Sequence, residues 1–273
     1  MINQDERGNL FGKWQIAEDT WCITNRFANF MYLLIGEEKA MLIDTGTGEG
    51  NIRKFVETIT EKPVMVVNTH GHFDHTGGNF WWPQAWMKKE SVECAREAFA
   101  SMGQEWFTDK DYPNYEIHTL EDGQVIDLGN REVQVIAIGA HNEGSIAFLD
   151  RKTKAVFVGD ELESGQVLLF VRNENISIKE AAALHKKNME KLKALRSEYD
   201  LIWPAHNGAP LLPDPYLNDF IALDEELIAG TAQIAENTGG LGFPTDCSQG
   251  FFAEFGVLER AVHGLASIVY IKP

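Results

Sequence analysis

Six consecutive residues, His70-Gly71-His72-Phe73-Asp74-His75, carry four metal-ligating side chains. They follow the apolar run Val64-Met65-Val66-Val67, which reads as a buried strand. In extended chain, residues two apart point the same way, so His70 and His72 can grip one ion together. Asp74 and His75 come after the turn and face a second ion. Imidazole mixed with carboxylate suits zinc, and also iron or manganese. One loop cannot close such a site, and three further ligand types follow in similar contexts. His141 comes after Val133–Ile138, Asp160 after Ala155–Gly159, and His206 after Leu201–Ala205. Each stands just past a short apolar or β-branched run, where an α/β sheet presents its chemistry at the carboxyl ends of strands.

On these residues the chain resembles the metallo-β-lactamase-fold hydrolase superfamily. Thr69–Asn79, which reads Thr-His-Gly-His-Phe-Asp-His-Thr-Gly-Gly-Asn, is similar to that family's metal loop. The seven residues His70, His72, Asp74, His75, His141, Asp160 and His206 look like its complete dinuclear set. The resemblance covers about residues 14–212. It implies an α/β protein, a four-layer αβ/βα sandwich forming one domain over 1–273, with a C-terminal helix and tail at about 213–273. It also implies two divalent metals, zinc first and iron or manganese next. His70, His72 and His141 would hold one metal, Asp74, His75 and His206 the other, and Asp160 would bridge them. Two departures stand out. The loop Gly139-Ala140-His141-Asn142-Glu143-Gly144-Ser145 lacks the family's usual proline and gains a charge. Asp160 stands where one class of zinc β-lactamases has cysteine.

The mechanism that the resemblance implies is hydrolysis by a water ionised between two cations, since even one zinc lowers the pKa of bound water to roughly 7. Asp74 would orient that water and pass a proton to the leaving group, so no Ser, Cys or Lys nucleophile is required. A small ester-like bond is the expected substrate, with lactone or thioester ranked above β-lactam. A glyoxalase II role is weakened because Leu212–Gly250, where that enzyme holds glutathione with basic residues, contains no Lys or Arg. Two other classes stay open: a mononuclear-iron oxidoreductase of persulfide dioxygenase type, and a non-catalytic binding protein. The complete second ligand set weighs against both.

Composition narrows the partners. The 273 residues carry 24 Lys and Arg against 41 Asp and Glu, a formal net charge of −17. Nucleic-acid binding relies on basic residues, so the nuclease branches of the family are disfavoured, and an anionic membrane surface with them. The expected partner is a small molecule, and the oligomeric state is not legible. Met1–Lys13 is polar and unlike a signal peptide, and the three cysteines (Cys22, Cys94, Cys247) are few and scattered. Together these read as a cytoplasmic protein with reduced thiols.

The elements that must position the ligands alternate strand and helix. Strands are expected at 14–24, 29–35, 39–44, 64–68, 145–149, 155–158 and 201–203, with a hairpin of 124–128 and 131–138 around Gly129-Asn130. Helices are expected at 50–60, 90–102, 177–196 and 215–237, the third opened by a Ser177/Glu180 capping box. The tail 251–271 has strand-like ends. His118, His185 and His263 lack a motif and read as structural, His185 on the polar face of its helix. Phe80, Trp81, Trp82 and Trp86 read as core or as an apolar cleft wall. Gly103–Tyr115 reads as a lid or a packed loop, and Leu168, Leu169 and Phe170 as residues bordering the cleft.

Overall fold

The computed structural model describes residues 10–26, 29–97, 114–169, 176–235 and 258–272. The chain divides into two compact units, Met1–Ala137 with Gly144–Phe157, and Ile138–Glu143 with Val158–Pro273. Both combine sheet and helix, as the α/β expectation requires.

The first unit is built on a seven-stranded sheet in sequential order: β1 (Phe11–Ala17), β2 (Thr20–Asn25), β3 (Phe30–Ile35), β4 (Ala40–Ile43), β5 (Val64–Val67), β6 (Gln84–Lys88) and β7 (Glu116–Leu120). β1 to β4 are antiparallel neighbours, whereas β4 to β7 run parallel. The parallel half needs crossovers. Short helices supply them: α1 (Ile52–Val56) between β4 and β5, α2 (Phe73–Thr76) after β5, and α3 (92–97) after β6. One core cluster beneath this sheet joins Met31, Leu33, Leu42, Val66 and Ala85 to Ile52 and Val56 of α1. Residues 14–24, expected as one strand, form the β1–β2 hairpin, with Asp19 in the left-handed region at φ 48°. The helix expected at 50–60 is shorter, and β6 and β7 were not anticipated. The helix expected at 90–102 begins as a 3-10 turn at Lys89–Ser91, and its far end lies outside the described residues.

An antiparallel run then follows: β8 (Val125–Asp127), β9 (Glu132–Ala137), β10 (Ile146–Asp150) and β11 (Ala155–Gly159). Gly129 and Asn130 both take positive φ in the β8–β9 turn, as a tight hairpin of this hand requires. Beside that turn Arg131 is fully buried. It donates to Asp150 Oδ2 at 2.5 Å, Thr20 Oγ1 at 2.7 Å, the Asp19 carbonyl at 2.8 Å and the Ile35 carbonyl at 3.2 Å. The guanidinium thereby ties three loops of the unit through donors that only a planar fork supplies.

The second unit takes up the end of β11 and pairs it with β13 (Leu201–Pro204), where the Ala205 amide donates to the Gly159 carbonyl at 3.0 Å. A four-stranded sheet orders β12 (Val167–Leu168), β16 (Ala266–Ile271), β15 (Leu258–His263) and β14 (Gln233–Ile234). Two long helices, α4 (Ile178–Ala194) and α5 (Pro213–Ala229), complete the unit. The capping box at Ser177 and Glu180 is formed. α5 stops at Gly230, whose φ of 76° is the left-handed C-terminal cap that glycine favours. The helix expected to run to 237 therefore ends at Ala229, eight residues earlier, and β14 begins at Gln233. No helix among the described residues is long and apolar enough to cross a membrane.

Candidate metal centre

β4 and β5 are parallel and in register at Ile43 and Val67, so their carboxyl ends lie side by side. That register sets Asp44 against the start of the 70–75 loop, with the Asp44 amide donating to the Val67 carbonyl at 2.8 Å. Asp44 has φ 62°, a left-handed conformation that Asp tolerates better than most residues. It is buried and accepts three hydrogen bonds, from the Thr69 amide at 2.8 Å, the Thr69 hydroxyl at 2.8 Å and His75 Nδ1 at 2.8 Å.

This carboxylate decides which nitrogen each neighbouring imidazole presents. His75 donates from Nδ1 to Asp44, so Nε2 keeps its lone pair, and it lies 3.6 Å from Asp74 Oδ2. The Thr69 hydroxyl, donating to Asp44, is left to accept from His70 Nδ1 at 3.1 Å. His70 Nε2 then faces His72 Nδ1 at 2.9 Å. Fixing a tautomer through the distal nitrogen is how histidine ligands are prepared for metal. Asn29 donates from Nδ2 to Asp74 Oδ2 at 3.2 Å and holds that carboxylate in turn. Below the loop, Thr45 donates to Asn79 Oδ1 at 2.8 Å, and Asn68 donates to the His75 carbonyl at 2.8 Å. A methyl group on Gly77 would lie 2.4 Å from the Thr47 backbone, and one on Gly78 2.6 Å from the Thr45 carbonyl, so only glycine lets the loop sit this close.

In the second unit, Asp160 follows β11 and His206 follows β13 by two residues. The carboxylate of Asp160 is divided: Oδ2 lies 3.6 Å from His141 Nε2 and Oδ1 lies 3.5 Å from His206 Nε2. His141 donates from Nδ1 to the Leu168 carbonyl at 2.6 Å, which again leaves the lone pair on Nε2. Its loop is held by Glu161, a fully buried carboxylate whose Oε1 accepts the amides of Ala140 at 2.9 Å and His141 at 2.8 Å.

The spacings can be compared with a real coordination sphere. In a tetrahedral zinc site with bonds of about 2.0–2.1 Å, two ligand atoms stand about 3.3 Å apart. The four pairs within the two units, at 2.9, 3.6, 3.6 and 3.5 Å, bracket that edge. In the first unit the candidate ligand atoms of His70 and His75 also lie within 4.8 Å of each other. Donor types and spacings within each unit therefore fit a divalent metal.

The sequence profile described as the metallo-beta-lactamase superfamily matches residues 24–206. The chain belongs to this superfamily. Among curated relatives, human acyl-coenzyme A thioesterase MBLAC2 is 25% identical over 175 residues, 54% of this chain and 63% of that protein. A hydroxyacylglutathione hydrolase from Francisella philomiragia is 28% identical over 144 residues, 52% of this chain and 50% of that protein. The chain spans less than two thirds of the length of either relative. Among solved structures, a metallo-beta-lactamase from Pontibacter korlensis superposes with a TM-score of 0.58 at 18% identity, covering 79% of this chain and 99% of that one. Rubredoxin oxygen:oxidoreductase from Desulfovibrio gigas gives 0.57 at 15% identity, covering 79% of this chain and 62% of that one. These structural likenesses establish the metallo-beta-lactamase fold.

Other residues singled out in the sequence settle differently. Phe80 and Trp82 belong to the core cluster of the first unit, and Trp81 packs against it while donating to the Gly50 carbonyl at 3.1 Å. Trp86 stacks on His118 at 5.0 Å between ring centroids. Phe80 and Trp82 are therefore core residues, as the packing reading expects, while Trp81 and Trp86 are half-buried. Tyr115 is buried in the same core, and Gly103–Pro113 lies outside the described residues, as does Phe170. Leu168 packs with Leu258 and Val269, and its carbonyl serves His141. His263 pairs with Glu226 at 2.8 Å.

His185 is the clearest correction. It is wholly buried, not on a polar face, and sits with Ala181, Met189 and Leu192 on the inner side of α4. Nδ1 faces Asp224 Oδ2 at 2.8 Å and Nε2 faces the Glu161 carbonyl at 2.8 Å. Burial opposes its charge, but Asp224 and then Glu161 outweigh burial and raise its pKa to about 9. Asp44, Glu161 and His185 are the residues that sequence reasoning missed. The signal for Asp44 was present as an acid placed directly after an apolar strand and followed by Thr45-Gly46.

Proposed function

We propose that this chain is a metal-dependent hydrolase that cleaves a thioester of a small acyl group, with two divalent metals, zinc first, held by the seven ligands. In this reading His70, His72 and His141 hold one ion, Asp74, His75 and His206 the other, and Asp160 bridges. The observation that carries it is the divided carboxylate of Asp160, one oxygen toward His141 and the other toward His206. A carboxylate serving a single ion has no reason to face two imidazoles from opposite oxygens.

Two bound cations would supply an ionised water and a Lewis acid for the substrate carbonyl. The chain's own residues do the rest. Asp74, steadied by Asn29, orients the attacking water and carries its proton to the departing sulfur as the carbon–sulfur bond breaks. Asp44 keeps the lone pairs of His70 and His75 on Nε2, from which they would be donated to metal. Thioester is favoured over lactone because the relatives named above act, by their names, on acyl groups carried by coenzyme A and by glutathione. The charge of −17 favours a small acyl compound over a polynucleotide.

The test is a parallel screen of thioesters, lactones, β-lactams, phosphoesters and single-stranded nucleic acid, with metal content measured on the same sample. Thioester hydrolysis with two metals per chain supports the proposal. Nucleic-acid cleavage without acyl hydrolysis would overturn it, as would a single iron with oxygen consumption.

A further inference from the structure

The buried chain of groups Asp224, His185 and Glu161 ends at the loop of His141 and is unused by the mechanism above. Each link is short. His185 bridges α4 to α5 through Asp224 at 2.8 Å, and to the segment after β11 through the Glu161 carbonyl at 2.8 Å. Glu161 then reaches from that segment to the 139–143 loop, accepting the Ala140 and His141 amides. His185, Glu161 and Asp224 are each 0% exposed.

The hydrogen-bonding roles are constrained. A carbonyl only accepts, so His185 Nε2 must donate to Glu161. A carboxylate accepts from Nδ1 on the other side. An imidazole that donates from both nitrogens is a cation. Burying a carboxylate without a counter-charge is costly, and the same cation answers both Asp224 and Glu161, since each of them acts to raise its pKa. The loop between β9 and β10 presents one imidazole, whose Nδ1 is tied to the Leu168 carbonyl. Glu161 grips it at the ligand's own amide, and Glu161 directly follows Asp160 in sequence.

We propose that Glu161 and His185 are positioning residues for the metal site: Glu161 sets the backbone that carries His141 and Asp160, and His185, clamped by Asp224, sets Glu161. The proposal rests on the reading of His141 and Asp160 as ligands. It assigns a function to a buried acid and a buried base that would otherwise be a costly way to join two helices.

The test uses the full chain stripped of metal, with zinc affinity read by chelator competition and site geometry by the absorption spectrum of the cobalt form. Glu161→Ala is expected to weaken metal binding about 10–100-fold, the usual effect of losing a group that orients a ligand. It should also change the cobalt spectrum. Glu161→Gln, which keeps an oxygen for both amides, should recover most of the affinity. His185→Gln, which can serve only one of its two acceptors with a donor held in place, should fall between. If Glu161→Ala does not fold, Glu161→Asp, with the oxygen withdrawn by one methylene, takes its place with the same expectation. A merely structural role would lower melting temperature while leaving zinc affinity and cobalt spectrum at wild type, and that result would overturn the proposal. His141→Ala separates the two layers. Metal binding unaffected by His141→Ala refutes the ligand reading itself. Binding lost in His141→Ala yet intact in every Glu161 and His185 variant refutes only the positioning role.

Discussion

Replacing Asp44 by Asn should separate folding from ligation in a single side chain. Asp44 Oδ1 accepts the Thr69 amide, and Oδ2 accepts both the Thr69 hydroxyl and His75 Nδ1. Asn keeps the size and one acceptor oxygen, which the Thr69 amide can retain. The new NH2 group then faces His75 Nδ1, where two donors cannot meet. His75 relieves the conflict by moving its proton to Nε2, and Nε2 is the atom 3.6 Å from Asp74 that must carry the lone pair for metal. Losing an orienting partner of this kind typically costs about 10–100-fold in metal affinity, equivalent to about 1.4–2.7 kcal/mol. Asp44→Ala goes further and leaves the Thr69 amide and His75 Nδ1 buried without an acceptor, at about 1–3 kcal/mol each. The buried carboxylate's own desolvation is relieved at the same time, so a net loss of about 2–3 kcal/mol of apo stability is expected. Denaturant titration of the apo proteins and zinc competition of the same samples read the two effects. Wild-type zinc affinity in Asp44→Asn would refute the assignment of Asp44 as the group that fixes the His75 tautomer.

Asp160→Ala removes the carboxylate shared by His141 and His206 and should reduce bound metal from two ions to fewer than one per chain, whereas His118→Ala, which removes the stack on Trp86 and the contacts to Gln84 and Glu116, should leave metal content unchanged. Elemental analysis of both variants checks this, and equal loss in the two would show the ligand set to be wrong. Arg131→Met strands the buried Asp150 carboxylate and should cost about 3–5 kcal/mol in chemical denaturation, and a loss below about 1 kcal/mol would contradict the role given to that pair. His185 is raised from 6.5 to about 9 in the folded chain, so its contribution to stability is fully present below pH 6.5 and is lost as pH rises through about 9. Apo protein should therefore weaken across that window, and the slope should be smaller in His185→Gln, as denaturation midpoints between pH 6 and 9.5 would show.

The proposed ligands were legible because metal chemistry accepts few residue types and fixes their spacing. The strand before each ligand was legible because buried β-strands are short apolar runs. What supports the ligands was less so. The donors to Asp44 lie 25 and 31 residues away in sequence, and only the parallel pairing of β4 and β5 makes them neighbours. His185 looked solvent-facing because its burial depends on Asp224, 39 residues later on another helix. β6 was obscured by the aromatic cluster before it, whose rings go into the core. Gly230 was a readable stop signal that the apolar spacing of α5 overshadowed.

The central claim is that the seven proposed ligands hold two metals around one carboxylate. Anomalous diffraction from zinc-loaded crystals tests it directly. Two peaks about 3.5–4 Å apart are expected, one ligated by His70, His72 and His141, the other by Asp74, His75 and His206, with Asp160 touching both. A single peak, or two peaks with Asp160 bound to neither, would contradict it.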